Sequence, residues 1–424
     1  MNLIMRRVFP PLIILALIAL PLVAQTKRLW ILRPSGEMVE YDLTTFAVKQ
    51  TVKLPEDALK NPASVEVNRA GQILFAPPVS LPLSDEDVVA THKVWIWNGH
   101  AASTIDQGVE RKEEKAGSNE AVTESAPTAY LSADGAHLYW FANEARRLQR
   151  EDVDLSTTTT WKAWRTDLAG GGREEVTSIK FPDCRCTTGS CEESCPVGVV
   201  WVPEDGVGKF FLMTRYVAEQ TASIYETSTR YDEEGGKWTS KDLSEPLQRV
   251  LDADTNGNVI VGAIPDTGCC GWSNESNDQT LVFAKGNKIV EFDEQGTYKN
   301  RDYDVSFFTS NARLSPDSAK ISMTIVATAQ ANEPIQLSEQ GQANPEESQR
   351  IRKALVELPA VLVKSVEDDP KPIGSVPHAT LVGWISDKEL LIVEDHLLIV
   401  YNIASGARRK SNVRVEDAAH VFLR

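Results

Sequence analysis

The sequence predicts an all-β fold built from repeated small sheets, and three observations carry that prediction. Short apolar, β-branched and aromatic runs recur along the chain, separated by Gly, Asp, Asn and Pro. Long stretches with a 3.6-residue apolar period are nearly absent. Several runs share a finer pattern, in which an apolar strand leads into a turn such as Ser-x-Asp-Gly and then into a second apolar strand.

The N-terminus comes first in chain order and sets the compartment. Arg6 and Arg7 precede a run from Val8 to Ala24 that carries no charged or hydrogen-bonding side chain, and Gln25-Thr26-Lys27-Arg28 follows. A positive start, an apolar stretch and a small residue at the break make a secretory signal over residues 1–24, cut after Ala24. The 17-residue run falls short of the roughly 20 residues that a spanning helix needs, and Pro10, Pro11 and Pro21 interrupt it. An uncleaved N-terminal membrane anchor is the alternative. Arg6-Arg7-Val8-Phe9 resembles the core of a twin-arginine signal, although the strongly apolar run is more similar to the general secretory type. Residues 1–24 hold two arginines and no acid, so their removal takes the net charge from −16 to −18. With no basic stripe in that acidic surface, nucleic acid is not an expected partner.

Residues 25–424 then read as one domain. The strand–turn–strand pattern is clearest over Ala129–Trp140, around Ser132-Ala133-Asp134-Gly135, and over Ala312–Ile321, around Ser315-Pro316-Asp317-Ser318. Looser copies run over Val65–Phe75, Val200–Gly206, Val250–Ile260 and Gly383–Ile392. Their turns fall near residues 71, 134, 205, 257, 317 and 387, at spacings of 52 to 71 residues. A four-stranded sheet with moderate loops fills such an interval, which makes the expected architecture a single β-propeller.

On these residues a resemblance can be named. The Leu-Ser-x-Asp-Gly turns resemble the repeats of Tol-type and WD-like propellers. Leu29–Leu43 and Leu397–Gly406 are similar to YVTN-type propeller repeats. The resemblance implies a fold and no particular activity. Residues 28–54 supply about three strands, and Ala418–Arg424 ends the chain on a lone one, so N- and C-terminal strands are expected to share one blade and leave no open edge at the ring seam. Seven blades follow from this count, with six and eight as alternatives.

Two segments break the pattern. Residues 108–127 are highly charged and poor in apolar side chains, which predicts a solvated loop insertion. Residues 328–358 form a second expected insertion, Ala/Gln/Asn/Glu-rich at first, in which Asn344-Pro345-Glu346-Glu347 reads as the start of a short helix.

The cysteines carry the strongest chemical signal. Cys184, Cys186, Cys191 and Cys195 lie in one cysteine-rich loop, 184–195, and Cys269 and Cys270 are adjacent. An even number of cysteines in an exported chain predicts three disulfides, with 15 pairings open; a four-thiolate zinc site in the first cluster is the rival. The vicinal pair resembles that of quinoprotein alcohol dehydrogenases, although their tryptophan-docking motifs are missing here. The loop that follows, with Trp272, Asn274, Asn277 and Asp278, is polar around one large aromatic and is the candidate binding loop. Asp252, Asp254 and Asn256 match the first half of a calcium loop, but Ala263 stands where its closing Glu would be, so a hairpin turn is the favoured reading and calcium the alternative. The six histidines show no metal-binding spacing, and no nucleophile elbow, phosphate loop or dinucleotide fingerprint occurs. The expectation is an exported, periplasmic or secreted, binding or scaffold propeller without a resident cofactor, engaging a protein or glycan through loops on one face. The alternative is an exported propeller enzyme, either a quinone-linked oxidoreductase or a metal-dependent hydrolase.

Overall fold

In the computed structural model, residues 27–77, 88–116, 119–132, 134–150, 153–181, 195–202, 209–218, 223–234, 237–242, 249–253, 259–265, 279–285, 288–292, 296–299, 303–331, 359–367, 369, 371–416 and 419–424 are described. Two short 3-10 turns, Glu56–Leu59 and Pro62–Ser64, are the helical elements among them. Everything else regular is antiparallel strand.

The first sheet joins the two ends of the chain. Strands β1 (Leu29–Leu32), β2 (Glu37–Tyr41) and β3 (Val48–Lys53) are completed by β29 (His420–Leu423), in the order β29-β1-β2-β3. The register pairs Leu29 with Leu423, Trp30 with Phe422, Ile31 with Val421 and Leu32 with His420. The expected sharing of one sheet by both terminal strands is therefore what the chain does, and it gives β1 a partner on both sides.

Next comes an eight-stranded meander of β4 (Val65–Val67), β5 (Ile73–Phe75), β6 (Val88–Trp97), β7 (Ala102–Ala116), β8 (Asn119–Leu131), β9 (His137–Arg150), β10 (Val153–Asp167) and β11 (Glu174–Phe181). Three further sheets follow as sequential meanders. They are β12 (Cys195–Val202) to β15 (Lys237–Asp242) through β13 (Lys209–Ala218) and β14 (Ser223–Glu234), β16 (Arg249–Ala253) to β19 (Lys288–Phe292) through β17 (Val259–Pro265) and β18 (Gln279–Lys285), and a five-stranded one. The five strands are β20 (Gly296–Lys299), β21 (Tyr303–Leu314), β22 (Lys320–Ala331), β23 (Pro359–Ser365) and β24 (Pro372–Pro377). The last sheet holds β25 (Ala379–Ser386), β26 (Glu389–Glu394), β27 (Leu397–Asn402) and β28 (Arg408–Arg414).

The two-residue side-chain period explains how these sheets assemble. Leu29 and Ile31 face one way and pack with Leu391, Leu398 and Val400 of the last sheet. Trp30 and Leu32 face the other way and pack with Val67, Ile73, Phe75 and Trp97. Strands buried on both faces read as continuous apolar runs, as Leu29–Leu32 does. The same sandwiching recurs where Val94 and Ile96 meet Leu131 and Trp140, where Phe141 and Trp161 meet Phe210 and Tyr231, and where Val361 and Val363 meet Trp384 and Ile392. Each fully buried side chain of this size contributes roughly 1.5–3 kcal/mol. Sequential small meanders stacked face to face, with the last strand returned to the first sheet, make this an all-β propeller.

The two YVTN-like segments form the same turn twice. Asp42 Oδ1 accepts from Thr44 N at 3.0 Å, Thr45 N at 2.8 Å and Thr45 Oγ1 at 3.0 Å. Asn402 Oδ1 accepts from Ala404 N at 3.1 Å, Ser405 N at 3.0 Å and Ser405 Oγ at 3.0 Å. Each turn ends in the left-handed region, at Phe46 (φ 56) and Gly406 (φ 69).

Of residues 108–127, expected as a loop, 108–116 and 119–127 are instead strand. Beyond the blade-length part of the sheet, β7 and β8 pair with each other from Arg111 opposite Glu124 to Ala116 opposite Asn119. Charge argues against burial and not against backbone pairing, and the register places Arg111 opposite Glu124 and Lys115 opposite Glu120. The sequence between the strands, Gly117-Ser118, is of the kind that makes two-residue hairpin turns. Of the second insertion, residues 328–331 belong to β22, and the remainder, including the helix expected from Asn344, lies outside the described residues.

Candidate functional site

The Ser-x-Asp-Gly turns are the local units from which an inner rim is built. Ser132 Oγ donates to Asp134 Oδ1 at 2.6 Å and accepts from His137 N at 2.9 Å, while Asp134 Oδ1 also accepts from Ala136 N. Ser315 and Asp317 repeat the arrangement, with Ser315 Oγ to Asp317 Oδ1 at 2.5 Å, Lys320 N to Ser315 Oγ and Ala319 N to Asp317 Oδ1. Gly135 (φ 74) and Ser318 (φ 55) occupy the same left-handed position. These turns are tied to their neighbours in adjoining repeats. Asn68 Nδ2 donates to Ser132 O at 2.9 Å, Gln72 Nε2 donates to Gly135 O at 3.1 Å, and Asp317 N donates to Asp387 Oδ1 at 2.8 Å.

β7 pairs with β8 only as far as Glu124 and β20 with β21 only as far as Phe307, so the edge amides at Leu131 and Leu314 lie beyond that pairing and side chains from the adjoining repeat take them. Glu66 Oε2 on β4 accepts from Leu131 N on β8 at 2.9 Å. Asp252 Oδ2 on β16 accepts from Leu314 N on β21 at the same distance, 2.9 Å. Counting from the turns, Glu66 and Asp252 are equivalent, and so are Leu131 and Leu314. Carbonyls are served likewise: Arg424 Nε donates to Val67 O at 2.9 Å and Arg313 Nη1 donates to Leu251 O at 3.1 Å.

At one point the two joints differ. Before Leu314 stands Arg313, whose guanidinium lies against β16; before Leu131 stands Tyr130, a phenol that also packs edge-on against Phe141. Glu66 as a residue keeps some exposed surface, but its carboxyl is turned into the seam. Loss of water there pushes it up to about 7, against the opposing pull of the Leu131 amide and the Arg424 charge. Burial, with the Glu66 charge second, raises the Tyr130 phenol. A carboxyl held near neutrality beside a phenol and a guanidinium is the most perturbed acid on the rim. Sequence reasoning missed it, and the equal offset of Glu66 and Asp252 ahead of their turns was the signal that pointed there.

Of the residues singled out from sequence, Asp252 is described, and both its oxygens accept backbone N–H groups, from Ala253 at 3.0 Å and from Leu314. β16 pairs with β17 on either side of residues 254–258, where the turn is expected and which lie outside the described residues. Asp254 and Asn256 lie outside the described residues, as do Cys184, Cys186, Cys191, Cys269, Cys270, Trp272, Asn274, Asn277 and Asp278. Cys195 is the first residue of β12, opposite Arg215. Among the described residues no group of three or more His, Cys, Asp or Glu is placed to hold a metal ion. None of their helices is long and apolar enough to cross a membrane, and residues 1–24 lie outside them.

Strand direction nonetheless relates the segments that carry these residues. The Ser-x-Asp-Gly turns mark one end of the strands. The connections 182–194, between β11 and β12, 266–278, between β17 and β18, and 332–358, between β22 and β23, all leave from the other end. The paired tips of β7 and β8 extend from that same end, together with Ala142–Arg150 of β9 and Val153–Lys162 of β10.

No protein family model matches the chain, and no curated protein resembles it in sequence. Solved structures do. The β-propeller domain of the Trilobed protease from Pyrococcus furiosus, described as having an open velcro topology, is 12% identical with a TM-score of 0.40, over 88% of this chain and 86% of that one. The Dos1 propeller is 9% identical with a TM-score of 0.36, over 82% of this chain and 85% of that one. TolB from Acinetobacter baumannii is 11% identical with a TM-score of 0.26, over 91% of this chain and 79% of that one. These similarities concern propeller folds, and they name no family for this chain.

Proposed function

We propose that the chain is an exported, seven-bladed propeller that binds a protein or glycan partner through the face opposite its Ser-x-Asp-Gly turns. The blade count treats the eight-stranded sheet as two blades, β4–β7 and β8–β11, joined through the tips of β7 and β8, and takes β20 as an additional strand on the blade of β21–β24. One observation carries the binding reading. The connections bearing the cysteines, the Trp272 loop and the long 332–358 segment leave from one end of the strands, and at that end β7 to β10 run past the ring as an arm. Connections that leave from one end of the strands are where such folds place partner contacts. At about 3.3 Å per residue, the 15-residue strands β7 and β10 reach roughly 50 Å, more than twice a typical strand.

A photo-crosslinking residue at Glu113, in the arm, or at Asp134, in the opposite turn, tests the reading in the organism's own extracytoplasmic fraction. Adducts are expected from Glu113 and not from Asp134; adducts from Asp134 alone, or from neither, would refute it. Intact mass of the recovered protein is expected to place the first residue at Gln25. A native spectrum carrying the extra mass of a metal or quinone would favour the enzyme alternative, and release of fewer than three disulfides on reduction would overturn the cysteine assignment.

A further inference from the structure

We propose that Asn98-Gly99, in the turn between β6 and β7, is a self-modification site at which the folded chain converts its own asparagine carboxamide to a carboxylate. The chemistry is intramolecular. The Gly99 nitrogen attacks Asn98 Cγ, an N–Cγ bond forms, the bond from Cγ to the side-chain nitrogen breaks, and ammonia leaves behind a five-membered cyclic imide. Water then opens the imide. Cleavage at Cγ gives an aspartate at position 98, and cleavage at the main-chain carbonyl gives an isoaspartate, whose main chain runs through Cγ. One water enters and one ammonia leaves, with no change of oxidation state.

The turn presents both reacting groups. Asn98 is exposed. Its Oδ1 accepts from His100 N at 3.0 Å and from Ala101 N at 2.9 Å, so two backbone donors meet the oxygen on which negative charge develops as Cγ becomes tetrahedral. The Gly99 nitrogen donates to no acceptor among the described residues, and a Cβ at Gly99 would meet nothing within 4 Å. The nucleophile is therefore untied and its surroundings are open. Asn402 supplies a comparison inside the molecule. Its Oδ1 is held the same way, by Ala404 N at 3.1 Å and Ser405 N at 3.0 Å. The residue that follows is Ile403, which is buried and β-branched, and its nitrogen donates to Lys388 O at 2.9 Å. The two sites share the donors to Oδ1 and differ in whether the next nitrogen is available.

The products differ in what they do to the turn. Asp42 Oδ1 already accepts the amides two and three residues on, from Thr44 and Thr45, so an aspartate at position 98 keeps the bonds to His100 and Ala101. An isoaspartate lengthens the main chain inside a turn that Asn98 N closes onto Ala101 O at 3.1 Å, next to the pair Trp97 and Ala102. Because β6 runs in the direction of β4, this turn lies at the Ser-x-Asp-Gly end of the strands. The added charge falls on the face away from the arm, and the inference is independent of the binding reading. The other Asn-Gly pair, Asn256-Gly257, lies outside the described residues.

The test is timed incubation of the full chain, folded and in denaturant, in mildly acidic and mildly alkaline buffer. Peptide mass spectrometry then assigns each product to its position, and electron-transfer fragmentation separates aspartate from isoaspartate. In the folded chain, position 98 is expected to convert at least about tenfold faster than position 402. The rate should climb toward alkaline pH, because the nitrogen attacks as its anion. Folding is expected to slow conversion at position 98 by less than about tenfold relative to the denatured chain. Stronger protection by the fold would overturn the proposal, as would equal folded-state rates at positions 98 and 402. Asn98→Asp is expected to keep the wild-type midpoint in urea, and a lowered midpoint would overturn the claim that this turn accepts the carboxylate.

Discussion

Two tryptophans offer a matched test of how this core is satisfied. Trp30 and Trp140 are both fully buried, at 0% exposure, and each keeps an indole neighbour, Trp97 edge-on at 5.9 Å and Trp164 stacked at 6.3 Å. Changing either to Phe removes a similar volume, so the packing losses are comparable. The polar terms run in opposite directions. Trp140 Nε1 donates to Thr166 Oγ1 at 2.9 Å; the Thr166 hydroxyl keeps its own bond to Asp167 O at 3.0 Å, so deleting the indole N–H costs one hydrogen bond, about 1 kcal/mol. Trp30 Nε1 is buried without a hydrogen-bond partner among the described residues, so its removal recovers a desolvation penalty of about 1–3 kcal/mol. Trp140→Phe should therefore destabilise by at least about 2 kcal/mol more than Trp30→Phe. Urea unfolding followed by far-UV circular dichroism, with equal slopes for the two variants, measures the difference. A Trp30→Phe variant as unstable as Trp140→Phe would refute the reasoning.

The repeated turns give further predictions. Gly135→Ala puts a Cβ 2.5 Å from Gln72 Oε1, on a side chain pinned by Asn68 and by Gly135 O, at φ 74; it should cost about 2 kcal/mol in the same unfolding assay. Ser318→Gly relieves a left-handed serine at φ 55 and should stabilise by about 0.5 kcal/mol, the strain relieved less the added freedom of the unfolded chain. The amides of Thr45 and Thr44, the Thr45 hydroxyl and Lys49 hold the Asp42 carboxyl down at about 2. Its contribution is present above the ordinary 3.8 and fades as pH falls through about 2. Asp42→Asn, which copies Asn402, should remove that acid-side loss, and a carboxyl titration by NMR with a midpoint near 4 in wild type would contradict the assignment.

Much of the ring was legible in the sequence because it repeats. The Ser132–Gly135 and Ser315–Ser318 turns were visible as residues, and their hydrogen bonds are the same set twice. The closure was visible as bookkeeping of strands: three after residue 28 and one at Val421. The arm was misread because composition reports whether a segment can bury itself, and a strand ladder asks only for backbone pairing. The Glu66 joint was hidden for a different reason. A single acid in Val65-Glu66-Val67 looks like an ordinary outward residue of a strand, and its role depends on an amide 65 residues away. Local spacing read Asp252 as a residue of a hairpin turn, with calcium as the alternative, and could not show that its Oδ2 reaches across 62 residues to Leu314.

The central claim, that the last strand closes the ring by completing the first sheet, is tested most directly by amide exchange on the full chain and on a chain ending at Ala419. With β29 gone, one edge of β1 is open and Arg424 no longer reaches Val67 O. Loss of protection is expected to be concentrated in Leu29–Leu32 and to extend to Val65–Val67. Unchanged protection at Leu29–Leu32 after removal of residues 420–424 would contradict it.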